Sequence, residues 1–586
     1  MKASLEALKE RWVSMRMTAV FLAGLALGLN CHCWGKAEER PGAKSTAVAD
    51  APVFGGSLRV GLRGEPLTWN RLLATDETTH RITEQIHSAL VRVNRLTQEV
   101  EPELAASWSF SDDSRELVFK LRPDVLFSDG TPFTADDVAF TFRALHDPAV
   151  ASPLVETAQV DGEPLAPEVL DPLTVRFRLP RRTAVAERIF DSIPMLPRHR
   201  LEKSLEQGSF GAEYGVGAQE AGIVGLGAFV LERYLPGQRV ILRRNPHYWK
   251  YSEERERLPY LDSAIFEILP DANALMLRFR AGELDILSPL SPEDFQSLKE
   301  RGRGDLRLLD LGPGTATERI WFNLNPKSPT SEKEEAWFSE VRFRRAVSLA
   351  IDRQSIAQAV YLGLASPAAG PISPSNRKWW NEAIEPTPFD PQSAKELLAE
   401  AGFHWNADQA LVSPSGDPVR FTLITNADNP YRIKTAQLIQ EDLARIGIDM
   451  NLVPLEFGNV LARVTGSFDY QACLLAIKFT DPDPSAELPL WLSRSPLHVW
   501  HPSQTQPVTP WESRIDALME EQMRATEYPA RKALFDEMQG VVAEQLPVID
   551  LVIPHTLIGS TSRVGNLKPT PFWDPLWNSD EVYLRP

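Results

Sequence analysis

The sequence predicts an α/β fold, on three observations. Several short runs alternate apolar and polar residues with a period of two, as half-buried strands do. One longer stretch spaces its apolar residues by three and four, as the inner face of a helix does. That helical stretch lies between two strand-like runs, and strand–helix–strand at such spacing implies a right-handed parallel crossover.

Ordered pattern begins near Gly55, where Leu58, Val60 and Leu62 alternate with polar or small residues. Leu117, Phe119 and Leu121 repeat the alternation, as do Val175, Phe177 and Leu179. Between them, Asp129-Gly130 is a turn signal. Thr134 with Asp137 three residues on is a capping-box arrangement that starts a helix. Asp136 and Asp137 fall in that first turn, where dipole stabilisation explains them better than carboxylate catalysis. Further on, Asp390 predicts an N-cap, Pro391 the first helical position and Gly402 the residue past the helix end. Val419, Phe421 and Leu423 form a strand, Ala436, Ile439, Leu443 and Ile446 one helix face, Gly447 its stop, and "IDMNLVPL" the returning strand. The style of the chain changes near residue 270, so the body reads as two dissimilar halves without internal repeats.

The chain has 586 residues, roughly four domains' worth at about 150 residues each. Large cores are therefore available without metal or disulfide staples. The 47 prolines predict short, punctuated elements. The formal net charge of −17 repels phosphate backbones, so nucleic acid is not an expected partner. Three cysteines, Cys31, Cys33 and Cys473, exclude both a disulfide scaffold and a four-thiolate zinc site. Cys473, in "ACLLAI", is expected to be a small buried hydrophobe.

At the N-terminus, Lys2, Lys9, Arg11 and Arg16 precede thirteen uncharged residues, Met17–Leu29. A basic segment before a short apolar run is the layout of a secretory signal. As a helix the run reaches only about 20 Å, short of the roughly 30 Å hydrocarbon core. Residues 1–30 are thus read as a signal peptide and 31–53, poor in large apolar residues, as a disordered tether. Two alternatives to release are open: an uncleaved leader acting as an anchor, and lipidation at Cys31, although Asn30 fits a lipidation site poorly. The body belongs in the periplasm or another extracytoplasmic compartment.

Catalytic patterns are mostly absent. The sequence lacks a G-x-S-x-G elbow, a P-loop and an H-E-x-x-H helix. Gly225-Leu226-Gly227 is a G-x-G fragment without the third glycine of a dinucleotide loop. Ser, His and Asp are plentiful, and nothing local joins them into a triad. No cofactor and no metal site are expected.

A series of longer stretches stands out instead: "GGSLRVGLRGEPLTWN", "ATDETTHRITEQIHSALV", "FSDGTPFTADDVAFTF", "YLPGQRVILRRNPHYW", "DANALMLRFRAGELDIL", "IWFNLN" and "FSEVRFRRAVSLAIDRQSI". In this order, from Gly55 to the C-terminus, they resemble the family 5 extracytoplasmic solute-binding proteins of ABC importers, the oligopeptide-, dipeptide- and nickel-binding group. The resemblance implies a two-lobed periplasmic-binding-protein fold of three domains closing by a hinge. Domain I would comprise 54–88, 190–268 and 556–586, domain II 89–189 and domain III 269–555. The hinge would lie near Glu267–Pro270 and Ile553–His555. The function implied is transport of a peptide-like or other small polar solute: a monomer captures it between the lobes and delivers it to an ABC permease in the inner membrane. A sensor or receptor partner of the same fold, and a secreted hydrolase, are the competing readings.

Site residues are also implied by the resemblance. "ATDETT" falls at the family's first cleft loop and offers Asp76, Glu77, Thr78 and Thr79 to a ligand. Gly225 begins the segment that replaces a glycine-rich loop, and Asn323 lies on a strand entering domain III. Arg377 beside Trp379 and Trp380 offers a cation next to two indoles. Peptide-binding members carry an aspartate that pairs with the ligand's α-ammonium. The matching stretch here, "LLAIKFTDPDPSAEL", puts Lys478 or Thr480 at that position, with Asp481 close by. Neither Lys478 nor Thr480 is acidic, so free-amino peptides are expected to be poor ligands. Anionic, N-blocked or chelate-type solutes would be better, with Lys478 or Arg377 supplying charge.

Export is directly testable. Cell fractionation should find the body of the chain outside the cytoplasm, and full-length, uncleaved protein free in the cytosol would contradict the signal-peptide reading.

Overall fold

The structure is a computed structural model that describes residues 51–586 except 185, 330, 331 and 480. The signal peptide, most of the tether, Cys31 and Thr480 lie outside the described residues. Residues 52–586 form one compact unit.

The expected strand at Leu58 is Ser57–Leu62, the centre of an eight-stranded sheet. It runs parallel to Ser263–Ile268, and Val60 pairs in parallel with Ile286. Across the sheet the order is Phe229–Leu235, Arg239–Arg244, Ser263–Ile268, Ser57–Leu62, Ile286–Leu287, Val552–Thr561 and Leu306–Pro313. A side branch, Ala365–Pro367, also pairs with Val552–Thr561. Above this sheet, a four-stranded antiparallel layer holds Ala105–Phe110, Glu116–Leu121, Thr174–Arg178 and Pro167–Asp171. The helix Ala135–His146 packs on it and opens with the expected capping box, Thr134 N–H donating to Asp137 Oδ2 at 2.9 Å. Apolar side chains of both layers, with Phe190 edge-on to Phe119 and Phe177 and tilted against Phe142, make one continuous core.

The second lobe is built on a five-stranded sheet ordered Asp449–Leu455, Arg420–Asn426, Ala472–Ile477, Thr317–Phe322 and Ile549–Asp550. Arg420–Asn426 is parallel to Asp449–Leu455, joined by the helix Pro430–Arg445, so the predicted crossover is present. Gly447 stops that helix at φ +86°, and Gly402 does the same after Pro391–Glu400 at φ +88°, a region glycine enters without strain. All of Thr317–Phe322 is buried, so alternate residues feed different cores. Ile320 and Phe322 join Phe338, Phe343 and Phe421 on one face, and Trp321 joins Trp491 and Trp500 on the other. Cys473 is buried in the latter core, as its apolar surroundings predicted.

The expected domain boundary at residue 269 is displaced. Ile286–Leu287 and Leu306–Pro313 add strands to the first sheet. Helices Ala272–Arg280 and Pro292–Arg301 cover that sheet with Leu275, Phe279 and Leu298. The chain therefore crosses to the second sheet at residues 314–316, not at Glu267–Pro270, because Ser263–Ile268 leads into a helix that stays on its own sheet. The return crossing is at Leu551, just before Val552–Thr561 and close to the expected Ile553–His555. The two crossings touch: Gly314 N–H donates to Pro554 O at 2.8 Å, and Leu551 N–H to Glu318 O at 2.9 Å. A Cβ at Gly314 would lie 2.9 Å from Pro554 O, so a side chain there would force the crossings apart.

Charges are buried deep in the second lobe. Arg531, 3% exposed, makes two 2.9 Å bonds to Asp483, also 3% exposed. Nearby, Glu487 is buried and accepts from Trp491 Nε1 at 2.8 Å. Burial pushes its carboxyl up to about 7, with the Asp550 and Asp483 carboxylates acting in the same sense and Trp491 and Arg319 opposing. In an unfolded chain a glutamate titrates near about 4.3. Between these values the folded chain holds the extra proton, so this contribution is complete at low pH and is lost as pH rises to 7. Glu487→Gln should raise the melting temperature at pH 8 by roughly a few degrees, leave it little changed at pH 5, and flatten its slope between them. Parallel melting curves of the two proteins across pH 5–8 would refute the assignment.

Candidate functional site

A cavity of about 780 Å³ lies between the two sheets, beside the crossings. The first lobe contributes the loop after Ser57–Leu62, from Arg63 to Leu67, and the start of the helix Glu77–Ile86. Its floor comes from Leu275, Leu287, Pro289 and Leu290. The second lobe contributes Glu318, Tyr361, Asn429 and Tyr431, and the return crossing adds Pro554 and His555. Apolar walls with a few convergent polar groups, at this volume, are the usual make-up of a solute site.

Asp76 is the N-cap of Glu77–Ile86: Oδ1 accepts from Thr79 N at 2.9 Å, and Oδ2 is shielded from water without a partner. Glu77 stands exposed and reaches Arg81 at 3.1 Å. Arg81 is itself buried and also bonds Asp574. Glu65 is held by Tyr234 Oη at 2.5 Å and Gly237 N at 2.6 Å. Across the cleft, Glu318 bonds Arg432 at 2.8 Å. Burial raises the Glu318 carboxyl's pKa, and Arg432 offsets this only in part. The rings of Tyr361 and Tyr431 stack with centroids 5.4 Å apart, and Tyr431 Oη donates to Glu293 at 2.6 Å. Tyr361 is 3% exposed, and neither its hydroxyl nor the adjacent Thr435 hydroxyl has a well-formed hydrogen bond.

The candidates from the sequence separate. Asp76, Glu77 and Thr78 line the cleft. Thr79 is buried, and its Oγ1 fastens the opposing loop by accepting from Leu67 N at 2.9 Å. Gly225 is a packing position: a Cβ would fall 2.1 Å from Ile86 O, and its backbone bonds Ser128. Asn323 is spent inside the second lobe, its Nδ2 donating to Phe468 O, Tyr470 O and Ser328 Oγ. Trp379 is core, with Phe535 and Tyr528 edge-on, and the guanidinium over its ring is that of Arg531, 4.9 Å away. Arg377 is exposed and Trp380 half-buried against the same core. Lys478 is exposed, and neither it nor Arg377 is among the cleft-lining residues.

Asp481 is taken by the chain itself. Arg188, on the first lobe, grips both its carboxylate oxygens at 2.8 and 3.0 Å. Burial raises the Asp481 pKa, with Arg188 opposing and Asp483 reinforcing the rise. Around this bridge, Lys378 meets Glu99 at 2.8 Å, Ala184 N–H donates to Met523 O at 2.8 Å, and Arg182 bonds Thr526. These contacts join the lobes at a second place, away from the crossings.

Sequence reasoning missed Glu318, Tyr361, Tyr431, His555 and Arg188. The one local signal was Glu318-Arg319, two charges inside an otherwise apolar strand. His555 shows an arrangement the sequence left unresolved: Nε2 lies 3.0 Å from Ser366 Oγ and Nδ1 lies 2.9 Å from Asp310. Ser366 is not among the lining residues, and Pro367 after it has no N–H to stabilise an oxyanion. Among the described residues no group of three His, Cys, Asp or Glu side chains is arranged to hold a metal ion, and no helix is long and apolar enough to cross a membrane. A second cavity, about 120 Å³, lies within the first lobe among Arg71, Arg95, Asp191 and Trp573.

Residues 99–497 match the family model described as "Bacterial extracellular solute-binding proteins, family 5 Middle". Over 385 residues, 64% of each chain, the sequence is 29% identical to a probable ABC transporter-binding protein of Deinococcus radiodurans. It is 25% identical to the oligopeptide-binding protein AppA of Bacillus subtilis, over 98% of this chain and all of that one. Among solved structures, NikA of Brucella suis in complex with Fe(III)-EDTA superposes with a TM-score of 0.73 at 21% identity, over 90% of this chain and all of that one. The two sheets, the cleft between them and the matched sequence agree: the chain belongs to the family 5 bacterial extracellular solute-binding proteins.

Proposed function

We propose that the chain is the extracytoplasmic solute-binding component of an ABC importer. It captures a peptide-like or other small polar solute between its lobes and hands it to the permease. The observation that carries this reading is the 780 Å³ cleft bounded by two separately cored lobes joined by neighbouring segments, at residues 314–316, at Leu551 and through Ala365–Pro367. Such a connection lets the lobes rotate as rigid bodies, giving a closed state that a transporter can recognise. The solutes named for relatives, an oligopeptide for AppA and Fe(III)-EDTA for NikA, differ widely, so the shared device is closure rather than one ligand. The chain works as a monomer, without a cofactor and without nucleic acid. It is exported through its N-terminal signal and either released or held at the membrane by Cys31 or an uncleaved leader.

Catalysis is not part of this function. The Ser366–His555–Asp310 chain stands where Val552–Thr561 leaves the return crossing and ties that strand to its neighbours, a positioning role. Purified protein incubated with pooled esters and peptides should release no product. Turnover that disappears in Ser366→Ala would establish the hydrolase instead.

Closure makes a second prediction. Arg188→Met leaves Asp481 buried without its partner, a state of high cost that opening to water relieves. Without ligand, small-angle scattering should give a larger radius of gyration for Arg188→Met than for the parent. A saturating solute should bring the two values together and raise both melting temperatures. Equal radii in the ligand-free proteins would remove the Arg188–Asp481 bridge from the closing mechanism.

A further inference from the structure

A hydrogen bond crosses the cleft from lobe to lobe. Tyr431, on the second lobe, donates its hydroxyl to Glu293 at 2.6 Å. Glu293 belongs to the first turn of Pro292–Arg301, the helix that covers the first sheet with Phe295 and Leu298. Tyr431 belongs to the first turn of Pro430–Arg445, the crossover helix of the second sheet. Both helix starts line the same cavity, through Ser291, Pro292 and Asp294 on one side and Asn429 and Tyr431 on the other. The bond shares no residue with the Arg188–Asp481 bridge, so it joins the lobes independently.

Each end of this bond is mounted within its own lobe. The Tyr431 ring lies against the Tyr361 ring, with centroids 5.4 Å apart and planes 13° from parallel. Tyr361 is 3% exposed and belongs to the second-lobe core. The Asn429 side chain accepts from the N–H groups of Tyr431 and Arg432 at 3.0 and 3.2 Å, which fixes the backbone that carries the ring. On the first lobe, Ser291 Oγ accepts from Asp294 N at 3.0 Å and pins the turn that carries Glu293. With both ends mounted, the angle between the lobes decides whether the hydroxyl reaches the carboxylate.

The chemistry suits a contact made on closing. Glu293 and Asp294 place two carboxylates at the start of the first-lobe helix, and Glu318, offset by Arg432, stands in the facing wall. A phenol meets that negative charge with an O–H donor. Burial, with the Glu293 carboxylate acting in the same sense, holds the Tyr431 phenol well above its usual pKa, so it remains a donor across the physiological range. A hydrogen bond to an ionised acceptor is stronger than one between neutral groups.

We propose that Tyr431–Glu293 is a latch that holds the lobes of the solute-free chain in the arrangement seen here and so sets how often the cleft opens. The proposal rests on the binding-protein reading above and names a contact that controls access to its site. Tyr361 acts through Tyr431, as a positioning residue.

The test is small-angle scattering of the full chain without solute, at low salt, where exposed charges are least screened. The melting temperature of each variant serves as the control for folding. Tyr431→Phe keeps the ring on Tyr361 and removes only the donor. Its ratio of open to closed chains should rise roughly three- to tenfold, seen as a larger radius of gyration. Tyr431→Glu sets a third carboxylate against Glu293 and Asp294 and should enlarge the radius further. Adding Glu293→Lys to Tyr431→Glu puts an ion pair in place of the bond and should bring the radius back toward the parent's, a rescue that a merely structural tyrosine would not allow. If Tyr431→Phe and Tyr431→Glu both keep the parent's radius, or if Glu293→Lys fails to rescue Tyr431→Glu, the latch is wrong. The binding-protein reading is judged separately: a solute that raises the parent's melting temperature upholds it whatever becomes of the latch.

Discussion

The structure depends on the close approach of the segments that join its two sheets. One crossing leaves Leu306–Pro313 and the other enters Val552–Thr561, and Gly314 N–H bonds Pro554 O between them. Because the crossings lie side by side, each sheet can collect its own hydrophobic core. The space between the sheets is then left as a cleft. Glycine at 314 lets the crossings approach so closely, since a Cβ there would meet the Pro554 carbonyl.

The same constraint sorts the charges. The Arg531–Asp483 pair lies wholly within the second lobe and is buried there. Desolvation makes such pairs costly to break and weak as net stabilisers, so they act mainly on the specificity of packing. Arg188–Asp481 is of another kind, since its halves belong to different lobes and the pair exists only where the lobes meet. Asp481 is thereby occupied by the chain's own arginine. Asp76, on the first lobe, lines the cleft with one carboxylate oxygen capping a helix.

Secondary structure was legible because its causes are local. Leu58, Val60 and Leu62 point one way because a strand has period two, and Ala436, Ile439, Leu443 and Ile446 share a face because a helix has period 3.6. Thr134, Asp390, Gly402 and Gly447 mark helix ends through caps and left-handed turns that need only neighbouring residues. The site was legible in part. The capped loop at Asp76 and Glu77 is visible in sequence and lines the cleft, whereas Gly225, Asn323 and Trp379 sit in packing and internal hydrogen bonds, because packing and binding recruit the same residue types.

By itself, then, the sequence determined the α/β class, the crossover, the caps, the family and the expectation of an exported chain. Only the tertiary structure decided which sheet residues 286–313 join, because strand pairing depends on partners more than two hundred residues away, Val60 and Ser560 for Ile286. It alone decided which charged side chains face the cleft and which are paired elsewhere. A charge counts toward a site by what already neutralises it, and the partners of Arg81, Glu318 and Asp481 lie 493, 114 and 293 residues distant in the chain.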